Sequence, residues 1–436
     1  MKPEDRKGST LALVLATLGF LFTFYAWSML GPLSPEFKDQ RGLSTLQVAI
    51  VIAVPVLMGS IMRIPLGILT DRLGGRKVFI GLLAFTLLPL GALAIWHDSF
   101  AALIVIGFFL GFAGASFAIG VPFVNKWYAP ERQGWALGIY GIGMGGTVLG
   151  GLTAPRIAKA TNLTVPFIVA IALIGITLAL FVLFARNSPT FEPSKQKGSF
   201  LAPLKVFKER PAAWAPTLYY FLVFGGFVAM FAFLPVFLNE VHHLDKPDAA
   251  ARAAGFAAVA VVGRPIGGWL ADKVGAAWVL RVAFVAIAVL AVIIGFTYEE
   301  MVPLTICCLT TAGFLGMGTG AVFKLVAQDF PDVVGAVTGV VGAAGGLGGF
   351  FPLLTLALIK SWTGSYTPAF ILLGALAVIC LVVLTLMSRR RTVATPAVAG
   401  AGRAVPGRRA SSSRAVPGDA WGGPRPRSRW TAVPWW

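Results

Sequence analysis

Two arginines, Arg63 and Arg264, lie inside runs of apolar residues long enough to cross a membrane. Such a crossing takes about 20 residues of helix. In each run an aspartate, Asp71 or Asp272, follows the arginine by eight residues and marks the end of the apolar stretch. That spacing sets each guanidinium about 12 Å of helix inside the hydrocarbon. A charge at that depth costs about 2.5–3.5 kcal/mol on insertion scales and reads as functional. Guanidinium offers planar, paired N–H donors that match an oxyanion, and it does not lose its proton.

The acidic residues sharpen the point. All 18 Asp and Glu residues fall in loops, at run ends or in termini, as do His97, His242 and His243. No carboxylate is left at midplane depth to balance either arginine. Two uncompensated cations repel each other in a low-dielectric cavity, and a bound anion between them relieves that repulsion. The expected ligand is therefore a small anion such as nitrate, nitrite or a carboxylate. The run Tyr219-Tyr220-Phe-Leu-Val-Phe224-Gly-Gly-Phe227 offers aromatic faces that would sandwich a flat, weakly hydrated anion. An enzyme would be expected to show intramembrane His, Asp, Glu or a nucleophile–base pair, and these runs show none. Cys307, Cys308 and Cys380 sit inside apolar runs and read as small buried hydrophobes, with no metal spacing. No cofactor is expected.

The elements that must position these groups are helices. Of the 436 residues 57% are hydrophobic and only 12% charged, more apolar surface than a soluble domain can hide. Twelve spans are expected, at 10–33, 46–69, 78–96, 100–124, 134–155, 164–185, 214–238, 249–271, 278–297, 301–323, 334–358 and 367–388. The first reads as an uncleaved span rather than a signal peptide. The formal charge of +18 is explained by topology rather than by nucleic acid: 27 of the 36 Lys and Arg residues fall on the side of the N-terminus and seven on the other. By the positive-inside rule both termini are cytoplasmic, in a cytoplasmic (inner) membrane. The expected organisation is a six-helix half over 1–185, a cytoplasmic linker over 186–213, a second half over 214–388 and a disordered basic tail over 389–436. The chain is expected to work as a monomer.

The halves repeat. Arg63, Gly67, Asp71, Arg72 and Gly74 recur 201 residues on as Arg264, Gly268, Asp272, Lys273 and Gly275. The same offset relates Gly138, Gly141 and Gly145 to Gly339, Gly342 and Gly346, and Pro130-Glu131 to Pro331-Asp332. Two like-oriented six-helix halves around a central site are an architecture of secondary transporters. Each glycine trio occupies one helix face and is expected to let two backbones approach closely, so that one half can rock against the other.

The loop Gly67…Asp71-Arg72-Leu-Gly74-Gly75-Arg76-Lys77 resembles the signature that follows the second helix in the major facilitator superfamily, with a weaker copy after the eighth. Within that superfamily several stretches resemble the nitrate/nitrite porter family: Gly111-Phe-Ala-Gly114-Ala-Ser-Phe117, Ala136-Leu-Gly138-Ile-Tyr140-Gly141-Ile-Gly143-Met144-Gly145, Gly320-Ala-Val-Phe323-Lys324 and Gly339-Val-Val-Gly342-Ala-Ala-Gly345-Gly346. The likeness covers about residues 10–388. It implies the major facilitator fold and an anion held by Arg63 and Arg264. Tyr220, Phe224, Phe117, Tyr140, Gly141 and Gly342 would line the site. Gly138, Gly145, Gly339, Gly346, Asp71, Arg72, Arg76 and Asp272 would serve the change of state. Met144 and Thr319 stand where the resembling family usually or often has Asn, which bears on which anion is chosen. The expected activity is exchange of nitrate for nitrite, or nitrate uptake with protons. A porter of formate or oxalate and a membrane anion sensor are the alternatives.

Overall fold

The computed structural model describes residues 3–193, 202–330 and 334–394. Lys195 and Lys197 of the linker, Pro331-Asp332 of the repeat and the tail beyond 394 lie outside the described residues. The twelve long apolar helices belong to one compact unit, Met1–Arg390. They are α1 (Gly8–Ser28), α2 (Thr45–Leu73), α3 (Gly75–Ile95), α4 (Phe100–Asn125), α5 (Ala136–Ala160) and α6 (Val165–Phe184), followed by α7 (Pro211–His242), α8 (Lys246–Val274), α9 (Ala276–Thr297), α10 (Met301–Asp329), α11 (Val337–Thr363) and α12 (Thr367–Ser388). Each is long and apolar enough to cross a membrane. A helix satisfies its own backbone, which hydrocarbon requires. Exposed tryptophans mark both ends of the bundle, Trp214 and Trp278 at the N-terminal end and Trp96 and Trp362 at the other. Tryptophan favours such membrane–water boundaries.

Several helices outrun the apolar segments that announced them. α2 continues through Asp71-Arg72 until Gly74 (φ 84°) ends it, and α8 continues through Asp272-Lys273 until Gly275 (φ 92°) does the same. Both glycines occupy a conformation that side chains avoid, and each hands the chain to the next helix. The repeat is therefore geometric as well as sequential. α1 stops at Ser28, short of its expected end, where Gly31 and Pro32 interrupt it. A short helix, Ser34–Arg41, follows. A reciprocal cap then starts α2: Ser44 Oγ accepts from Gln47 N (3.2 Å) and Gln47 Oε1 accepts from Ser44 N (2.9 Å).

The halves differ in helix regularity. α2 breaks at Met62, immediately before Arg63. α4 tightens into a 3₁₀ stretch over Gly111–Ala115, and α5 does so over Ile142–Gly145. Their counterparts α8, α10 and α11 run without interruption. Tight turns inside long helices mark hinges or strain. The irregular backbone is concentrated in the first half, around the site.

The halves meet along two helix pairs, α2 with α11 and α5 with α8. The closest approaches use small residues. A Cβ built on Gly346 would stand 1.6 Å from Ser60 Oγ, and one on Gly151 would stand 3.0 Å from Ala254 Cβ. At the end opposite the N-terminus, ion pairs lock the same seam. Lys38 binds Glu240, and Lys246 Nζ binds Asp39 (2.7 Å) and Glu36 (3.1 Å). Lys159 binds Asp245 at 2.6 Å. Glu240 also accepts from Thr45 Oγ1 (2.6 Å) and from the Tyr366 hydroxyl (2.7 Å). Burial, and then the Glu240 charge, push the Tyr366 phenol well above its ordinary pKa. It stays protonated and donates.

Candidate anion-binding site

Arg63 and Arg264 come from opposite halves, and each reaches into the other. Arg63, on α2, is only 7% exposed. Its Nη1 donates to Gly342 O of α11 at 2.6 Å, and its Cζ lies 5.0 Å from the Phe224 ring centroid on α7. Arg264, on α8, is partly buried. Its Cζ lies 5.2 Å from the Phe117 ring of α4 and 5.9 Å from that of Phe323 on α10. Its Nη1 contacts Met144 Sδ of α5 at 3.5 Å. The two guanidinium groups feel each other's charge, and both act on the Tyr140 and Tyr220 phenols.

Two features leave the site short of negative charge. Among the described residues neither arginine has a carboxylate partner, and Arg63 Nε is buried without a hydrogen bond. A buried donor left unmade costs free energy, so an unpaired guanidinium edge invites an acceptor from outside. Snorkelling is excluded for Arg63, because its head is held by α7 and α11 rather than by a helix end.

Aromatic rings fix the arginines from both sides. Tyr220 stacks on Phe224 (centroids 5.1 Å, planes 4° apart) and meets Phe323 at 4.7 Å. Tyr140 stacks on Phe20 (5.0 Å) and on Phe117 (5.9 Å), and donates from its hydroxyl to Ser116 O at 3.0 Å. Thr23 Oγ1 donates to Ser116 Oγ at 2.7 Å, which ties α1 to α4 behind the ring. Cation–π contact with these faces contributes about 0.5–2 kcal/mol per arginine and still leaves N–H edges for an anion.

Of the residues singled out in the sequence, Arg63, Arg264, Tyr220, Phe224, Phe117, Tyr140 and Gly342 come together here. The glycine faces pack differently from expectation. Gly346 presses the opposite half tightly, through Ser60, while Gly342 meets it through its carbonyl, and a Cβ added there would stand 4.0 Å from Arg63 Nη1. Gly138, Gly141 and Gly339 face open space within 4 Å, and Gly145 only grazes Leu21 at 3.9 Å. The tight positions are their neighbours. A Cβ on Gly143 would meet Phe20 at 2.5 Å, one on Gly146 would meet Leu21 O at 1.9 Å, and one on Gly345 would meet Tyr220 at 2.4 Å. Glycine occupies several faces of these helices, and the face turned to α1 or α7 is not the one the repeat offset selects.

The loop residues gather at the N-terminal end of the bundle. Asp71 faces a small cleft with Lys126, Asn187 and Ser188, and Asp272 pairs with Lys324. Arg72 closes α2. The Arg76 backbone N–H donates to Asn187 Oδ1 (3.0 Å), and its Nη2 donates to Val182 O (3.0 Å). Met144, marked in the sequence as a departure from the resembling family, touches Arg264. Phe323, Phe20 and Ser116 are site residues that the sequence does not single out, and nothing in their type or spacing marks a residue placed beside a guanidinium or its aromatic support.

Twelve long apolar helices in two repeat-related halves, with an arginine from each reaching across the seam, are the architecture of a secondary transporter. The description "Major Facilitator Superfamily" matches residues 16–351. A probable nitrate/nitrite transporter NarK2 of Mycobacterium tuberculosis is 37% identical over 377 residues, 86% of this chain and 95% of the relative. A probable nitrate transporter NarT of Staphylococcus epidermidis is 35% identical (88% and 98% covered), and a nitrite extrusion protein of Bacillus subtilis is 37% identical (84% and 91% covered). The crystal structure of a bacterial homologue of the human lysosomal transporter Spinster shares the fold, with TM-score 0.68 at 18% identity, covering 88% of this chain and 97% of that one. The chain belongs to the major facilitator superfamily and, within it, to the nitrate/nitrite porters. It is a multi-pass membrane transporter and not an enzyme.

Proposed function

We propose that this protein carries nitrate and nitrite across a bacterial cytoplasmic membrane, exchanging one anion for the other by alternating access as a single chain. One observation carries the reading: two repeat-related arginines from opposite halves each reach across the seam with no carboxylate partner among the described residues. The empty site holds two like charges, and a monovalent anion between them lowers the barrier to closing the halves. The names of the relatives support nitrate and nitrite as that anion.

The excess of Lys and Arg in loops on the N-terminal side supports cytoplasmic termini. With that orientation the ion-paired end faces outward and is closed. An outer end closed in this way supports an inward-open conformation. Asp71 beside Lys126, and Asp272 on Lys324, then show the loop aspartates turned to their own halves. These residues, with Arg72, Arg76, Gly145 and Gly346, would exchange partners when the inner end closes.

Proteoliposomes decide the mode. Vesicles loaded with nitrite should take up external nitrate, and unloaded vesicles should not. Uptake driven by a pH gradient with no internal anion would overturn exchange in favour of symport. Formate competing as strongly as nitrite would move the site to small carboxylates.

A further inference from the structure

Four hydroxyl groups on the helices of the site are already committed. Tyr140 donates to Ser116 O at 3.0 Å. Ser60, Thr147 and Thr319 each donate to a carbonyl of their own helix: Val56 O (2.9 Å), Met144 O (2.9 Å) and Gly316 O (2.6 Å). Met144, 2% exposed and set in the 3₁₀ turn Ile142–Gly145, presents its sulfur to Arg264 Nη1 at 3.5 Å. A thioether accepts weakly and donates nothing. Phe117, beside it, is a phenyl ring over the same guanidinium. The wall of the site facing α4 and α5 therefore lacks a hydrogen-bond donor among these residues. What remains to donate is the unused guanidinium N–H groups, from two sides, and the Tyr220 hydroxyl on the α7 wall.

We infer that Met144 is a specificity-determining residue that makes the site favour an anion with two oxygens over one with three, nitrite over nitrate. The inference rests on the anion site proposed above and sharpens its substrate. Nitrite is bent, and its two oxygens are covered by guanidinium forks from opposite halves with Tyr220 in support. Nitrate is trigonal. With two oxygens on the forks its third turns to the α5 wall, where it meets carbon and the sulfur lone pairs. An acceptor desolvated without a donor loses binding, whereas an anion that has no third oxygen loses nothing there. The weak Arg264–sulfur contact is easily displaced by the incoming anion, because a thioether competes poorly with an oxyanion for a guanidinium N–H.

Initial uptake of nitrate and of nitrite at equal, sub-saturating concentration, into vesicles loaded with nitrite, tests this. The parent should take up nitrite faster than nitrate. Met144→Asn and Met144→Gln place an amide donor on the bare wall and should raise the nitrate-to-nitrite ratio about five- to ten-fold, the leverage of one hydrogen bond. A parent that prefers nitrate, or amide variants that transport with an unchanged ratio, overturns the inference. Should Met144→Asn fail to fold, the Gln variant and the parental ratio still decide. A parent inert toward both anions overturns the anion reading itself, a result distinct from an unchanged ratio.

Discussion

Arg63→Lys keeps the charge and removes the fork. Arg63 reaches Gly342 O at 2.6 Å through one guanidinium nitrogen, leaves Nε unpaired and lies 5.0 Å from the Phe224 ring. An ammonium offers a compact charge with no pair of parallel donors, so one charge-assisted hydrogen bond to the anion is lost. Such a bond contributes about 1.5–3 kcal/mol, and its loss should weaken half-saturation for nitrite roughly 10- to 150-fold. The assay is counterflow into proteoliposomes across a nitrite concentration series, with thermal unfolding in detergent as the control for folding. Arg63→Leu separates the ligand role from a structural one. It deletes a buried charge with no carboxylate partner, so transport should vanish while the unfolding temperature holds or rises. Parental half-saturation in Arg63→Lys, or collapse of the fold in Arg63→Leu with transport retained in Arg63→Lys, would refute this reasoning.

Other outcomes follow from the same geometry. Gly346→Ala drives a methyl into Ser60 Oγ, 1.6 Å away, and should cost about 1–3 kcal/mol in the α2–α11 seam; thermal unfolding should record it, and Ser60→Gly should restore part of it. Gly138→Ala and Gly339→Ala enter open space and should leave unfolding temperatures nearly unchanged, although flux will fall if the inner end closes over them. Glu240→Gln cuts the charge that holds Lys38 and should raise thiol labelling of a cysteine placed at Thr45, reporting a looser outer end. Nitrite self-exchange should be flat between about pH 6 and 8, because no histidine or carboxylate among the described residues contacts either arginine; a several-fold fall across that range would point to a proton carrier.

The helices and the arginines were legible in the sequence for simple reasons. Hydrocarbon demands apolar runs of fixed length, and a charge inside one stands out from every other residue. The repeat was legible because one offset held at several loci, and the matched positive φ of Gly74 and Gly275 gives it a structural basis. Contacts between the halves were not legible. The pairing of Lys38 with Glu240 joins residues 202 apart that no local pattern relates. The glycine faces went astray because the runs Gly141–Gly146 and Gly345–Gly349 carry glycine on several sides, so spacing alone selects no partner helix. The 3₁₀ turns over Gly111–Ala115 and Ile142–Gly145 arise where glycine-rich backbone yields to packing against α1 and α2, which only the folded neighbours dictate.

Calorimetric titration of nitrite into the purified protein and into the Arg63→Leu/Arg264→Leu double variant tests the central claim most directly. The parent should bind about one anion per chain, with affinity that falls as competing salt rises, and the folded double variant should give no binding heat. Equal binding by both proteins would place the anion elsewhere and contradict the account.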